Sequence, residues 1–214
     1  VVLAPTGVAA LNVRGQTIHS FFGFKPNVTG ERIKKIPPSS DRGNVYRNID
    51  AIVIDEISMG RADLLDCVDK FLRLNGPRKG LPFGGIQMIF IGALSPLPPV
   101  VTSNERAAFG LLYESPYFYS AHVFESIDMA FVELDKIYRQ HDQRFIDLLN
   151  AIRNKSVSEE EIGILNGRVM LEFEPPPYAI YIHLITTDRQ AGEFNKRPLS
   201  KLNGPKSSFT GIMG

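Results

Sequence analysis

Two adjacent carboxylates, Asp55 and Glu56, end the apolar run Ala51-Ile52-Val53-Ile54. A buried strand that delivers such a pair to its carboxyl end offers Asp55 as a hard oxygen ligand for Mg²⁺. It offers Glu56 as a group that positions or polarises an attacking water. An acidic turn after a strand is the plainer reading of the same residues. A second group is Ala4-Pro5-Thr6-Gly7-Val8-Ala9-Ala10. There Thr6 brings a hydroxyl to a strand-to-helix turn, Pro5 stiffens it, and free N–H groups at a helix start suit a phosphate. A third is Gly15-Gln16-Thr17-Ile18-His19-Ser20-Phe21-Phe22-Gly23. The hydroxyl of Thr17 suits phosphate oxygens, and His19 and Phe21 suit stacking on bases. The alternative makes Phe21 and Phe22 core and His19 a surface histidine. Pro98 lies in the stiff loop Gly92–Val100, and Arg139 in Lys136-Ile137-Tyr138-Arg139-Gln140. The loop is either a transmitter of nucleotide state or a rigid turn. Arg139 is either a γ-phosphate contact or an ordinary surface arginine.

Three short β-rich runs must position these groups: residues 1–4, 51–54 and 88–91. Each lacks polar alternation, as strands of a parallel sheet covered on both faces do. In open parallel sheets ligands bind beyond the carboxyl ends of the strands. The three loops are therefore expected along one rim, with Thr6, Asp55 and Pro98 as neighbours. The spacing of Leu64, Leu65, Val68, Phe71 and Leu72 predicts a helix over 63–74 that Gly76 can close. Asp142 is placed to cap a helix carrying Phe145, Leu148, Leu149 and Ile152. Ser158 and Glu161 have capping-box spacing. Residues 25–48 and 76–85 read as loops. Pro175-Pro176-Pro177 interrupts any helix or central strand and predicts a domain boundary between 174 and 175. Beyond it, 179–187 reads as a strand and 189–202 as a helix.

The 214 residues suffice for one full domain and part of another. A net charge of +1 puts any grip on nucleic acid into local clustering. The first fifty residues do lean basic: Arg14, Lys25, Arg32, Lys34, Lys35, Arg42 and Arg47 face only Glu31, Asp41 and Asp50. The single cysteine, Cys67, excludes a disulfide framework or a cysteine metal site and reads as a small core residue. No apolar run approaches the ~20 residues of a membrane span, and no signal peptide is visible. The start at Val1 inside an apolar run suggests a cut N-terminus. No G-x-x-x-x-G-K-[ST], G-x-S-x-G, H-E-x-x-H or C-x-x-C occurs.

Taken in order, these segments resemble the Pif-one (petite integration frequency) family of superfamily-one DNA helicases. Ala4–Ala10 with Thr17–Phe22 resembles the family's motif Ia, Ile54-Asp55-Glu56-Ile57-Ser58-Met59 its motif II, and Leu97-Pro98-Pro99-Val100 the end of motif III. Leu134–Gln140 with the following helix resembles motif IV. The resemblance implies a RecA-like α/β fold with a parallel sheet flanked by helices. It implies a first motor domain over 1–174 lacking its P-loop segment, and the opening of a second over 175–214. It implies an ATP- and Mg²⁺-dependent enzyme moving 5′ to 3′ on single-stranded DNA. Such an enzyme acts on duplex junctions, G-quadruplexes and RNA–DNA hybrids in repair, recombination and telomere maintenance. Carried over, Pro5, Thr6, Thr17, His19, Phe21 and Pro98 touch DNA. Asp55 serves Mg²⁺, Glu56 the water, and Arg139 the γ-phosphate. A monomer in an intracellular setting is expected: the cytoplasm of a bacterium, or the nucleus or mitochondrion of a eukaryote. Two departures stand out. Where the family has Gly-Asp-x-x-Gln-Leu-Pro-Pro-Val, this chain has Ala93 for the aspartate and Pro96 for the glutamine. With motif I and motifs V and VI also absent, the chain alone is expected to be inactive. The alternatives are an enzyme-dead single-strand-binding module on the same scaffold, and a P-loop ATPase of another kind.

Overall fold

The sheet has four strands: β1 (Val2–Ala4), β2 (Gln16–Thr17), β3 (Ala51–Ile54) and β4 (Gln87–Phe90). They lie in the order β2-β1-β3-β4, and every pairing is parallel. The structure, a computed structural model, describes residues 1–93, 98–173, 181–199, 204 and 207. It divides into two compact units, Val1–His141 and Asp142–Gly214. That division falls earlier than the break expected at 174/175, and the triple proline itself lies outside the described residues.

In the first unit the sheet is covered on two sides, as the alternation of side chains along a strand requires. Leu3 belongs to the main core, whereas its neighbour Ala4 packs with Ala9 and Ala10 of helix α1 (Gly7–Asn12). The main core is organised by α4 (Ala62–Asn75), which buries Leu64, Leu65, Cys67, Val68, Phe71 and Leu72. Its end is fixed by polar groups as well. Asn75 accepts from the Ile36 N–H at 2.7 Å and donates to the Lys34 and Phe71 carbonyls. Asp69 accepts from the Phe83 N–H at 2.7 Å and from Arg73 at 2.6 Å, holding the 76–85 segment on the helix. Gly76 is needed because a Cβ there would meet the Leu72 carbonyl oxygen at 2.7 Å and the Gly84 Cα at 3.1 Å.

An aromatic cluster joins α4 to the segment that follows β2. Phe22 of α2 (Ile18–Phe22) sits edge-on to Phe71 at 5.2 Å. Tyr46 of α3 (Asp41–Arg47) lies 4.8 Å from Phe71 and donates its hydroxyl to the Phe21 carbonyl at 2.7 Å. The first unit also contains α5 (Ser103–Gly110), capped by Thr102 and Glu105. In the second unit, Asp142 caps α6 (Gln143–Arg153) by accepting from the Phe145 N–H. Ser158 and Glu161 form a capping box on α7 (Glu159–Asn166), and α8 spans Asp188–Leu199.

Several expectations need correction. The 25–48 segment is not all loop, because Ser40 caps α3 through the Gly43 N–H. Strand β4 begins at Gln87, one residue before the expected start. Its faces are not both covered: Gln87 and Ile89 are exposed, since β4 ends the described sheet. Residues 181–187 form no strand. The sequence pattern predicts none of β2, α2 and α5. Phe71 packs against the rings of Phe22, Phe24 and Tyr46 at once, so Phe71→Ala should cost about 3–5 kcal/mol. Urea denaturation of the two proteins checks this, and a loss below about 1 kcal/mol would mean that the cluster does not hold α2 and α3 to α4.

Candidate nucleotide and single-strand site

Parallel pairing decides which residues meet. Leu3 is in register with Ile54, Ala4 with Thr17 and Ile54 with Phe90. The residues that follow, Pro5-Thr6, Ile18-His19, Asp55-Glu56 and Ile91-Gly92, therefore leave the sheet at the same edge. Thr6, Asp55 and Glu56 are brought onto one rim, as the pattern of three strands predicted, and the pairing of β2 with β1 adds Thr17 and His19 to it.

Each turn is locally built. Thr6 is extended (φ −117°, ψ 156°) and caps α1, its Oγ1 accepting from the Ala9 N–H at 3.3 Å. That bond consumes one of the helix-start donors expected to meet phosphate and leaves the hydroxyl proton of Thr6 to donate outward. Thr17 caps α2 in the same way, accepting from the Ser20 N–H at 3.1 Å. His19, partly buried, has its pKa lowered from the ordinary 6.5 by burial, against an opposing pull from Asp63. Its imidazole is therefore neutral at neutral pH. Phe22 is core, at 3% exposure. Phe21 is only partly buried, but its ring is edge-on to Phe22 at 4.9 Å and to Tyr46 at 5.4 Å. It is thus held by protein rings, with only part of its surface free for a base.

After β3 the backbone turns sharply. The Asp55 N–H donates to the Leu3 carbonyl at 2.9 Å, and the Ile57 N–H donates to the Ile91 carbonyl at 3.0 Å. Between them Glu56 takes left-handed angles, φ 50° and ψ 37°. That conformation costs a non-glycine residue about 1–3 kcal/mol and concentrates at functional sites. It leaves the Glu56 side chain exposed while Asp55 stays half-buried. The Ser58 hydroxyl behind them is fully buried without a hydrogen-bond partner among the described residues. A Cβ at Gly92 would lie 3.3 Å from Ile57 Cγ2 and from the Ile57 and Ser58 nitrogens, so position 92 has little room for a side chain.

The apolar-Asp-Glu-Ile-Ser-Met string already pointed to Ser58, whereas the crowding at Gly92 and the pull of Asp63 on His19 arise only from folding. The remaining candidates are less gathered. Pro98 is exposed beside the buried Pro99, and the preceding residues 94–97, with Pro96 and Leu97, lie outside the described residues. Ala93 is exposed and brings no side-chain oxygen. Arg139 is exposed in the irregular stretch before α6, and no described ion pair holds its guanidinium.

A divalent metal fits this edge only with help. Among the described residues no group of three or more His, Cys, Asp or Glu side chains could hold an ion. Asp55 supplies one carboxylate, and the other ligands of a hard cation would be water and phosphate oxygens, the usual arrangement for Mg²⁺ on a nucleotide. A cavity of about 650 Å³ lies elsewhere, lined by Asp66, Asp69, Lys70, Phe109 and Tyr113 among others. Asp66 already accepts from the His122 and Val123 N–H groups, and Asp69 is paired as described above.

A family model described as PIF1-like helicase matches residues 1–163. The chain belongs to the PIF1-like helicase family. The ATP-dependent DNA helicase PIF1 of Saccharomyces cerevisiae is 35% identical, the match covering 100% of this chain and 24% of that protein. RRM3 of the same species, also named an ATP-dependent DNA helicase, is 32% identical over 99% of this chain and 28% of its own length. The PIF1-like chain thus spans about a quarter of these relatives. The Bacteroides Pif1 helicase solved with ADP-AlF₃ and single-stranded DNA superposes with a TM-score of 0.84 at 33% identity, covering 98% of this chain and 50% of that one. The Candida albicans Pif1 helicase superposes at 0.76 and 31% identity, covering 95% and 45%. The α/β sheet of this PIF1-like chain is therefore RecA-like. Among the described residues no helix is long and apolar enough to cross a membrane.

The neutral His19 gives the fold a pH dependence whose sign is fixed. Its folded pKa lies below 6.5, so unfolding takes up a proton between the two values. The stability it protects is fully present above 6.5, declines as pH falls through that window, and is lost below the folded value. His19→Gln should flatten this part of the profile. Melting temperatures of both proteins across about pH 5–8 check it, and parallel profiles would contradict the assignment.

Proposed function

We propose that this chain is the nucleotide- and DNA-contacting part of an ATP-driven DNA helicase that moves 5′ to 3′ along a single strand. In this reading residues 1–174 are the first motor domain and 175–214 the opening of the second. The observation that carries it is the placement of Asp55 and Glu56 on the same sheet edge as Thr6, Thr17 and His19. A carboxylate pair there serves nucleotide chemistry, and hydroxyls with an imidazole next to it serve a polynucleotide. The protein acts on single strands and duplex junctions, on G-quadruplexes and RNA–DNA hybrids, as a monomer in repair, recombination and telomere maintenance. Family membership and the nucleotide and single-stranded DNA bound by the Bacteroides relative support this reading.

Glu56 orients the attacking water and accepts its proton, which its exposed, left-handed position leaves it free to do. Asp55 would hold Mg²⁺, which would supply positive charge opposite the phosphate oxygens. Arg139 is the residue assigned to the γ-phosphate. The hydroxyls of Thr6 and Thr17 donate to the DNA backbone, while Pro5 and Pro98 pack against it. His19, being neutral, contributes a hydrogen bond or a stacking face rather than a charge. Phe21 adds its exposed edge.

One observation favours a second reading. Ala93 has no carboxylate and Pro96 no carboxamide where the family pattern has both, as expected of a module that binds DNA without turning over ATP. ATP hydrolysis by the full-length protein, with and without single-stranded DNA, separates the two. The motor reading predicts stimulation by DNA and a loss of about a hundredfold or more in Glu56→Gln. The same variant should keep its single-strand affinity by fluorescence anisotropy. Single-strand binding without hydrolysis would establish the module instead. Hydrolysis indifferent to Glu56→Gln would remove the site assignment.

A further inference from the structure

Between the turn that carries Glu56 and helix α4 stands Arg61, whose guanidinium meets groups from two separate stretches of chain. Its Nε and Nη2 donate to the two oxygens of Asp63 at 3.0 and 2.7 Å, a two-point pairing at the start of α4. Its Nη1 donates to both Glu105 oxygens at 3.2 and 3.3 Å and to the Val100 carbonyl at 3.4 Å. Its plane rests over the Phe109 ring, 5.3 Å from the centroid. The backbone at 61 is fixed too: it bridges to Tyr117, and the next N–H, that of Ala62, donates to the Pro116 carbonyl.

Both partners lead to the rim. Val100 follows Pro98 and Pro99 in the loop that leaves β4, and Glu105 is locked to that loop by accepting from the Thr102 N–H and hydroxyl at 3.1 and 2.7 Å. Asp63, on the other side, acts electrostatically on His19. A planar, permanently charged fork is the side chain suited to hold two carboxylates at once. Exposed ion pairs add little stability, and these side chains are 26–44% exposed. The arrangement therefore acts on the placement of the loop more than on stability.

Resting on the helicase reading above, we infer that Arg61 is a positioning residue that couples the loop after β4 to the single-strand site at His19. When that loop shifts with nucleotide state, Val100 and Glu105 draw on the guanidinium. The two-point hold on Asp63 passes the shift to the carboxylate whose charge acts on His19. Arg61 touches neither nucleotide nor DNA in this scheme.

The test uses the full-length protein and separates maximal rate from affinity. ATP hydrolysis is measured against oligothymidylate concentration for wild type, Arg61→Ala, Glu105→Gln and the double variant, with a melting temperature for each. Glutamine at 105 keeps the cap of α5 while removing the charge. So Glu105→Gln cuts the loop side alone and serves should Arg61→Ala not fold. Expected for either single variant is a DNA-stimulated maximal rate lower by about 5–150-fold, the range of ordinary coupling energies. The DNA-free rate and the half-saturating DNA concentration stay within about twofold of wild type, and the double variant loses no more than Arg61→Ala. The inference is overturned if stimulation survives in Glu105→Gln, or if DNA-free and stimulated rates fall together. A wild type that DNA does not stimulate would remove the helicase reading itself, and this inference with it.

Discussion

Two backbone hydrogen bonds fix the position of the carboxylate pair: Asp55 N–H to the Leu3 carbonyl, and Ile57 N–H to the Ile91 carbonyl. The first ends the pairing of β3 with β1, the second ties the following turn to the end of β4. The one residue caught wholly between them, Glu56, is driven into left-handed backbone. A shift of register by one residue would turn Ile52 and Ile54, both fully buried, out of the core. The packing of those two isoleucines is thus what sets where the acidic groups emerge. The same pairing of β1 with β2 places Thr17 level with Ala4, so the hydroxyl turns are set by the sheet and not by their own short helices.

Helix α4 turns this edge into a stable object. Its apolar face fills the space under the sheet, and its polar groups reach segments remote in sequence. Asn75 holds residues 34–36, Asp69 holds Phe83, and Asp66 holds residues 122–123. Burial pushes the Cys67 thiol up to about 12, so it is an inert core group, as its apolar neighbours suggested. The family relatives share this scaffold at about a third identity. The departure at 93 falls at an exposed position, outside the packed core.

Much of this was legible in the sequence because hydrophobic pattern and function coincide. The runs at 1–4, 51–54 and 88–91 became β1, β3 and β4 because nothing polar interrupts them. Helix α4 kept a clean 3.6-residue period, and the caps at Asp142 and Ser158 carried their own side-chain signal. What was missed had weak local cues. Strand β2 is two polar residues held only by pairing with β1. Helix α3 has few apolar residues, and its Tyr46 is recruited by a cluster assembled from three distant segments. The 179–187 run has strand composition, yet its described part forms no strand, a case where composition without a pairing partner decides nothing. At the candidate site, Asp55, Glu56, Thr6, Thr17 and His19 are proposed from residue type and order, and the strand register puts them at one edge. The crowding at Gly92 and the electrostatic pull of Asp63 on His19 depend on neighbours far along the chain and could not be proposed in that way.

The central claim is that metal, nucleotide and single strand share the carboxyl edge of one parallel sheet. Affinity cleavage tests it most directly: Fe²⁺ replaces Mg²⁺ in the full-length protein with an ATP analogue and a bound oligonucleotide, and the cut sites are mapped after addition of peroxide and ascorbate. Radicals act close to the metal, so the account predicts cuts in residues 4–7, 54–58 and 91–93, reduced together by Asp55→Asn. Cuts clustered around the α4–α5 cavity instead, or unaffected by that substitution, would contradict it.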